Sequence, residues 1–202
     1  MDTWQNLVAL VDARLEAASP GERGVFAAGV AERLMSWHEA LPEDEQADFT
    51  LGLRPLLNSV WEGVLGDPAV HTAVNRGLAE YMLSDYCHHD RLVGPDDAHE
   101  PAAAATLNAA YAYLFGCTDF AVWAGRRAID DQHLEYLAGA ELEEGDFLDT
   151  DKALIGELKR QLRDLDLITA RSTELRHALS GLPTPTSVRL RSELRTPLSS
   201  RG

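Results

Sequence analysis

The sequence has little of several features that proteins use for particular tasks. Its 202 residues include only two cysteines, Cys87 and Cys117, and no Cys-x-x-Cys pair, which argues against a zinc ribbon or a thioredoxin-type site. It also has no glycine-rich loop of the kind that holds phosphate groups. No apolar run approaches the ~18 residues that a membrane-spanning helix needs, so we expect no membrane partner.

Basic residues are scarce as well. The 18 Lys and Arg stand against 33 Asp and Glu, which gives a net charge of −15. Because nucleic-acid binding depends on basic side chains that neutralise phosphates, we expect no nucleic acid to bind through the folded domain. The N-terminus lacks the basic and apolar stretches of a signal peptide, and the two cysteines suit a reducing compartment, so we expect a cytoplasmic protein.

The apolar residues that are present recur with helical spacing along most of the chain. The first set is Trp4, Leu7, Val8, Val11 and Leu15. Ser19-Pro20-Gly21-Glu22 predicts a capped helix start, and Gly66-Asp67-Pro68 predicts the end of one helix and the start of the next. Strand-like alternation is missing. The sequence therefore predicts an all-α, single-domain bundle of about six to seven helices over residues 1–180.

The segment from Ala102 to Ala128 is apolar on every side, which predicts one helix at the centre of the bundle. Asp119 lies within it, so we expect a buried, hydrogen-bonded carboxylate there. The four tryptophans fall on apolar stripes and are expected in the core: Trp4, Trp37, Trp61 and Trp123.

Residues 181–202 differ in composition from the rest of the chain. They combine proline, serine and threonine with four arginines, and Pro183-Thr184-Pro185 cannot continue a helix. We therefore expect a basic, mobile tail. From Arg171 onward the chain carries six Arg and two Glu, a charge of +4, so the preceding residues are more acidic than the whole-chain figure.

Few residues suggest chemistry. Cys87-His88-His89-Asp90 contains metal-ligand types, but adjacent side chains on a helix point about 100° apart, so such a site would need His38, His99 or His133 from elsewhere. We therefore assign no metal site and no cofactor, and name His88, His89 and Asp90 as the nearest candidates for a metal. The candidates for a catalytic role are Asp119, His88 and His89.

Two motifs in the first half of the chain resemble a known bacterial family. Residues 26–35 resemble the "F-x-A-x-x-x-E-R" helix of the YjaG-like proteins, domain of unknown function 416, and residues 57–62 resemble that family's "L-x-x-x-W-E" segment. The resemblance spans residues 5–170 and implies an all-helical, single-domain, cytoplasmic protein. It carries over no catalytic residue. Glu32, Arg33 and Glu62 match motif positions, where we expect a helix-to-helix ion pair.

Two classes of function fit these observations. The first is an acidic helical binding protein without catalysis, which docks on a basic partner as inhibitors and immunity proteins do. The alternative is a small metal- or cofactor-binding helical enzyme that uses the candidates named above. Self-association through the small residues of the central helix is a third possibility.

Overall fold

The computed structural model describes residues 3–84, 87, 100–139, 147–178 and 185–199, and this part of the chain is helical without β-strands. The prediction of an all-α bundle is confirmed. The α-helices, in chain order, are α1 (Trp4–Ala17), α2 (Pro20–His38), α3 (Asp48–Gly52), α4 (Arg54–Val64), α5 (His71–Met82), α6 (Pro101–Phe115), α7 (Thr118–Gly139), α8 (Phe147–Ala170), α9 (Ser172–Ala178) and α10 (Pro185–Ser199). Short 3₁₀ turns cover Glu43–Glu45 and Pro68–Val70.

Local sequence signals set several helix ends. Ser19 and Glu22 form the predicted capping box, in which the Glu22 carboxylate accepts from the Ser19 backbone N–H at 2.8 Å. Asp67 accepts from the Ala69 backbone N–H, and Gly66 has a φ of 99°, which favours glycine. Both predictions are confirmed. Each could be made from the sequence because the interacting residues lie within one turn of the chain.

Two helices form the centre of the bundle. α6 is buried from Ala102 to Ala110, as predicted for the alanine-rich segment, and it packs against α2. α2 is buried on all sides from Gly24 to Met35. The small-residue face of α6 is enclosed by the chain itself. That face therefore offers no exposed surface to a second copy, and self-association stays a prediction.

The prediction of one helix from Ala102 to Ala128 is also wrong. α6 ends at Phe115, and Gly116 adopts a φ of 63°, the left-handed conformation that caps a helix end. α7 begins at Thr118 and continues through residue 139. Among the tryptophans, Trp61 is fully buried, whereas Trp4 is 37% exposed and Trp37 and Trp123 are half-buried.

The C-terminal prediction fails over most of its length, because residues 185–199 form α10 and not a mobile tail. Pro185 starts this helix, where its missing N–H costs nothing. Leu190, Leu194 and Leu198 recur every four residues and are completely buried, packed toward α2 and its neighbours. The prediction of a tail followed from the proline, serine, threonine and arginine content and did not take the spacing of these leucines into account.

The described residues also bear on the membrane. No helix among them is both long enough and apolar enough to cross a bilayer.

Candidate interaction surface

The residues that the sequence nominates for chemistry do not form a site in the described part of the chain. Asp119 lies exposed in the first turn of α7, because the break at Gly116 turns the predicted helix interior into a helix end. The predictions for His88, His89 and Asp90, and for His99, fall outside the described residues. Within those residues, no group of three or more His, Cys, Asp or Glu side chains is placed to hold a metal ion.

His38 has a structural task. Its ring is 1% exposed, and Nε2 accepts a hydrogen bond from the Ala47 backbone N–H at 3.0 Å. An accepting Nε2 carries no proton, so in the neutral ring the proton is on Nδ1, which lies 3.8 Å from the Glu100 carboxylate. His38 therefore anchors the chain that follows α2 to the end of the bundle.

Arg33 on α2 lies at the centre of a buried set of charges. Its guanidinium is 4% exposed and donates to Asp164 and, at 3.1 Å, to Glu157, both on α8. It also donates to the Leu198 carbonyl of α10 at 2.7 Å. Burial raises the pKa of the Asp164 carboxyl, and the charge of Arg33 opposes that rise without cancelling it. One cation thus holds two buried carboxylates.

Glu32, the neighbouring residue on α2, extends this set. Its carboxylate accepts from Arg54 at 2.7 Å, from the Trp61 indole N–H at 3.0 Å and from Arg195 at 3.1 Å. Arg195 donates to Asn58 as well. We call Glu32, Arg33, Glu157 and Asp164, with Arg54 and Arg195, the buried ionic layer.

Glu32 and Arg33 do form helix-to-helix ion pairs, but their partners lie on α4, α8 and α10 and are not motif residues. Every acidic oxygen of Glu32 and the inner oxygens of the α8 carboxylates already accept from a cation or an N–H. The buried ionic layer is thus suited to fix the packing of four helices rather than to bind a ligand.

A different concentration of charge lies on the surface after α2. We call residues 39–48 the acidic segment, since it contains five exposed carboxylates: Glu39, Glu43, Asp44, Glu45 and Asp48. The sequence has no Lys or Arg from residue 34 to residue 53. Arg54 pairs with Glu39, and no lysine or arginine of the described chain pairs with the other four.

The acidic segment is held in place by hydrogen bonds. Ala47 donates to His38, and the Gln46 side chain donates to the carbonyls of Leu41 and Glu39 at 2.6 and 3.2 Å. The carboxylates of the 3₁₀ turn therefore project from a fixed backbone. A fixed charged surface loses less conformational entropy on binding than a flexible one.

Beside the acidic segment, α3, α4 and α5 enclose an open groove of about 400 Å³, which we call the α3–α5 groove. Its apolar floor and walls include Phe49, Leu53, Leu56 and Tyr81, and the Phe49 and Tyr81 rings lie 5.7 Å apart. α4 and α5 approach closely at Gly77, which has no side chain. A Cβ at this position would lie only 2.9 Å from the Leu56 side chain.

Polar residues lie along the same groove. The lining includes Ser59 on α4, Arg76 and Glu80 on α5, and Ser84 just beyond α5. Arg54, at the start of α4, connects this wall to the acidic segment through Glu39. Burial acts to lower the pKa of the Arg54 guanidinium, but its hydrogen bonds to Glu39 and the charge of Glu32 raise it overall. Arg54 therefore braces the acidic segment against the start of α4, the helix that supplies one wall of the groove.

Reasoning from the sequence missed this groove. The lining residues come from three helices, and their apolar members read as ordinary core positions. The acidic run Glu43-Asp44-Glu45 was visible as charge in a first helical turn, but the groove beside it depends on how α3 and α5 pack.

Comparisons with family models, with curated proteins and with solved structures gave no match to this chain. The resemblance to the YjaG-like family therefore stays a prediction.

Proposed function

We propose that this chain is a binding protein of the inhibitor or immunity type, and that the acidic segment contacts a basic surface of its protein partner. The observation that carries the proposal is the set of exposed carboxylates on a hydrogen-bonded backbone, in a stretch of 20 residues without Lys or Arg. Fixed charges of one sign raise the rate of encounter with an oppositely charged partner and disfavour acidic ones.

The overall charge supports the same proposal. A net charge of −15 produces a field that attracts basic proteins from a distance, and the acidic segment gives that field a local focus. Such attraction weakens with salt because the Debye length falls from roughly 10 Å at 0.1 M to 3 Å at 1 M ionic strength.

The test is capture of partners from the native host by the full chain, at low and at high salt. We expect recovery of a basic protein that is lost at high salt. The variant Glu43→Gln/Asp44→Asn/Glu45→Gln should then bind that protein more slowly and more weakly in a purified assay.

A matched control removes three exposed carboxylates elsewhere, in Glu16→Gln/Asp119→Asn/Asp130→Asn. Both variants change the net charge equally, so a local contact predicts a clear loss only for the first. Recovery of no salt-sensitive basic partner, or equal losses for the two variants, would contradict the proposal.

A further inference from the structure

Resting on the proposed function, we infer that the α3–α5 groove receives the apolar side chains of a basic amphipathic helix from the partner protein, while the acidic segment faces that helix's lysines and arginines. The groove and its charged flank thus form one docking surface with two kinds of contact.

The lining suits a partner's apolar side chains. Phe49, which is half-buried, and the largely buried Leu53, Leu56 and Tyr81 line the floor of a concave shape with aromatic and aliphatic atoms. Helix-binding grooves take the apolar face of a partner helix in a concavity of this kind. The polar lining residues lie among them, where they can hydrogen-bond groups at the edge of a docked helix.

Two exposed apolar residues adjoin the lining residues of the groove in sequence. Met82 and Leu83, at the end of α5 between Tyr81 and Ser84, are 42% and 79% exposed. A small molecule within the groove would leave them in water. A helix is longer, since ten residues span about 15 Å, and it can cover the groove and this adjoining patch together.

Charge determines which helix fits. Asp48 immediately precedes the groove residue Phe49. Glu45 is four residues before Phe49, so the Cα atoms of Glu45 and Phe49 are at most about 14 Å apart. Two turns of a docked helix cover about 11 Å, and a lysine side chain reaches further. Basic residues next to the apolar face therefore come within range of the acidic segment, and the groove lining itself holds one carboxylate, Glu80, and one guanidinium, Arg76.

The experiment uses the full-length, ¹⁵N-labelled chain and three synthetic peptides. The first has a leucine face flanked by lysines, the second has the same composition in an order that destroys the face, and the third has glutamates in place of lysines. We expect the first peptide to cause amide shift changes at residues 49–59 and 73–84. The other two peptides should bind at least about tenfold more weakly than the first.

One substitution is chosen to place a bulky side chain at the groove. Gly52 lines the groove, and a Cβ there meets nothing within 4 Å, so Gly52→Phe introduces its side chain without a clash at Cβ. Gly156 on α8 is equally open and lies away from the groove, so Gly156→Phe is the matched control. We expect binding of the first peptide to weaken about tenfold in Gly52→Phe and to stay unchanged in Gly156→Phe.

The results separate the two proposals. Shift changes confined to residues 39–48, with Gly52→Phe binding as the wild type does, would overturn the groove inference and leave the acidic contact standing. Binding in the groove that is equal for lysine and glutamate peptides would overturn the inference that the docked helix is basic, while the capture experiment and the Glu43→Gln/Asp44→Asn/Glu45→Gln variant decide the proposed function. Absence of any peptide-induced shift would overturn the groove inference.

Discussion

The buried ionic layer and the acidic segment use the same side chains in opposite ways. In the layer, carboxylates of α2 and α8 lie in the interior, and each meets an arginine. In the segment, five carboxylates lie in water, and only Glu39 has an arginine partner among the described residues. The two regions are adjacent. Glu32 lies in α2, Glu39 directly follows the last residue of α2, and both carboxylates accept hydrogen bonds from Arg54.

The difference teaches how burial sets the role of a charge. A buried carboxylate without a partner is costly, so the layer is suited to specify one arrangement of helices. An exposed carboxylate costs little and remains free to attract another molecule. We therefore expect substitutions in the layer to act on stability, and substitutions in the acidic segment to act on binding.

The largest effect should follow from removing the cation at the centre of the layer. Arg33→Met keeps the aliphatic stem but leaves Glu157 and Asp164 without their main partner. Breaking a buried ion pair in this way costs about 3–5 kcal/mol in the free energy of unfolding. Urea denaturation of the variant measures the loss.

Two further variants make this test decisive. Arg14 pairs with Asp166 at 2.9 Å on the surface, where the side chains are 35% and 69% exposed, so Arg14→Met should cost only about 0–1 kcal/mol. If Arg33→Met fails to fold, Arg33→Met/Glu157→Gln/Asp164→Asn should fold, because it buries no unpaired carboxylate. Equal losses for Arg33→Met and Arg14→Met would erase the distinction between the two regions.

A smaller loss should follow when the helix that covers the layer is loosened. Leu194→Ala removes a fully buried side chain from α10, which supplies Arg195 to Glu32. Leucine-to-alanine changes in a core cost about 2–5 kcal/mol, and we expect about 3 here, in thermal or urea unfolding. Thr196→Ala, exposed on the same helix, should change stability little. If Leu194→Ala leaves the free energy of unfolding unchanged, α10 does not pack on the bundle and the composition-based prediction of a mobile tail is correct.

What the sequence reveals depends on how far apart the interacting residues lie. Ser19 and Glu22, or Asp67 and Ala69, interact within one turn, so local spacing is enough to predict the capping box and the helix start at Asp67-Pro68. The all-α class follows from helical periodicity in the same way. Gly116 was harder, because a glycine in an alanine-rich run is compatible with a continuous helix or with a left-handed end.

The contacts that assemble the surface are not local. Arg33 meets residues 124 and 131 positions away, and Arg195 meets Glu32 across 163 positions. The motif positions pointed to Glu32 and Arg33 as ion-pair residues, but not to their partners. The groove likewise depends on how α3 and α5 pack beside α4, which no local pattern encodes.

The smallest change in stability should come from the acidic segment. Glu43→Gln/Asp44→Asn/Glu45→Gln removes three neighbouring exposed charges, and we expect the free energy of unfolding to stay within about 0.5 kcal/mol of the wild type. Any change should be a gain at low salt, because the removed carboxylates repel one another, and added salt should shrink the gain by screening that repulsion. Urea unfolding at low and high salt measures both. A salt-insensitive loss above about 1 kcal/mol would mean that these carboxylates make stabilising contacts, and the contrast with the buried ionic layer would then disappear.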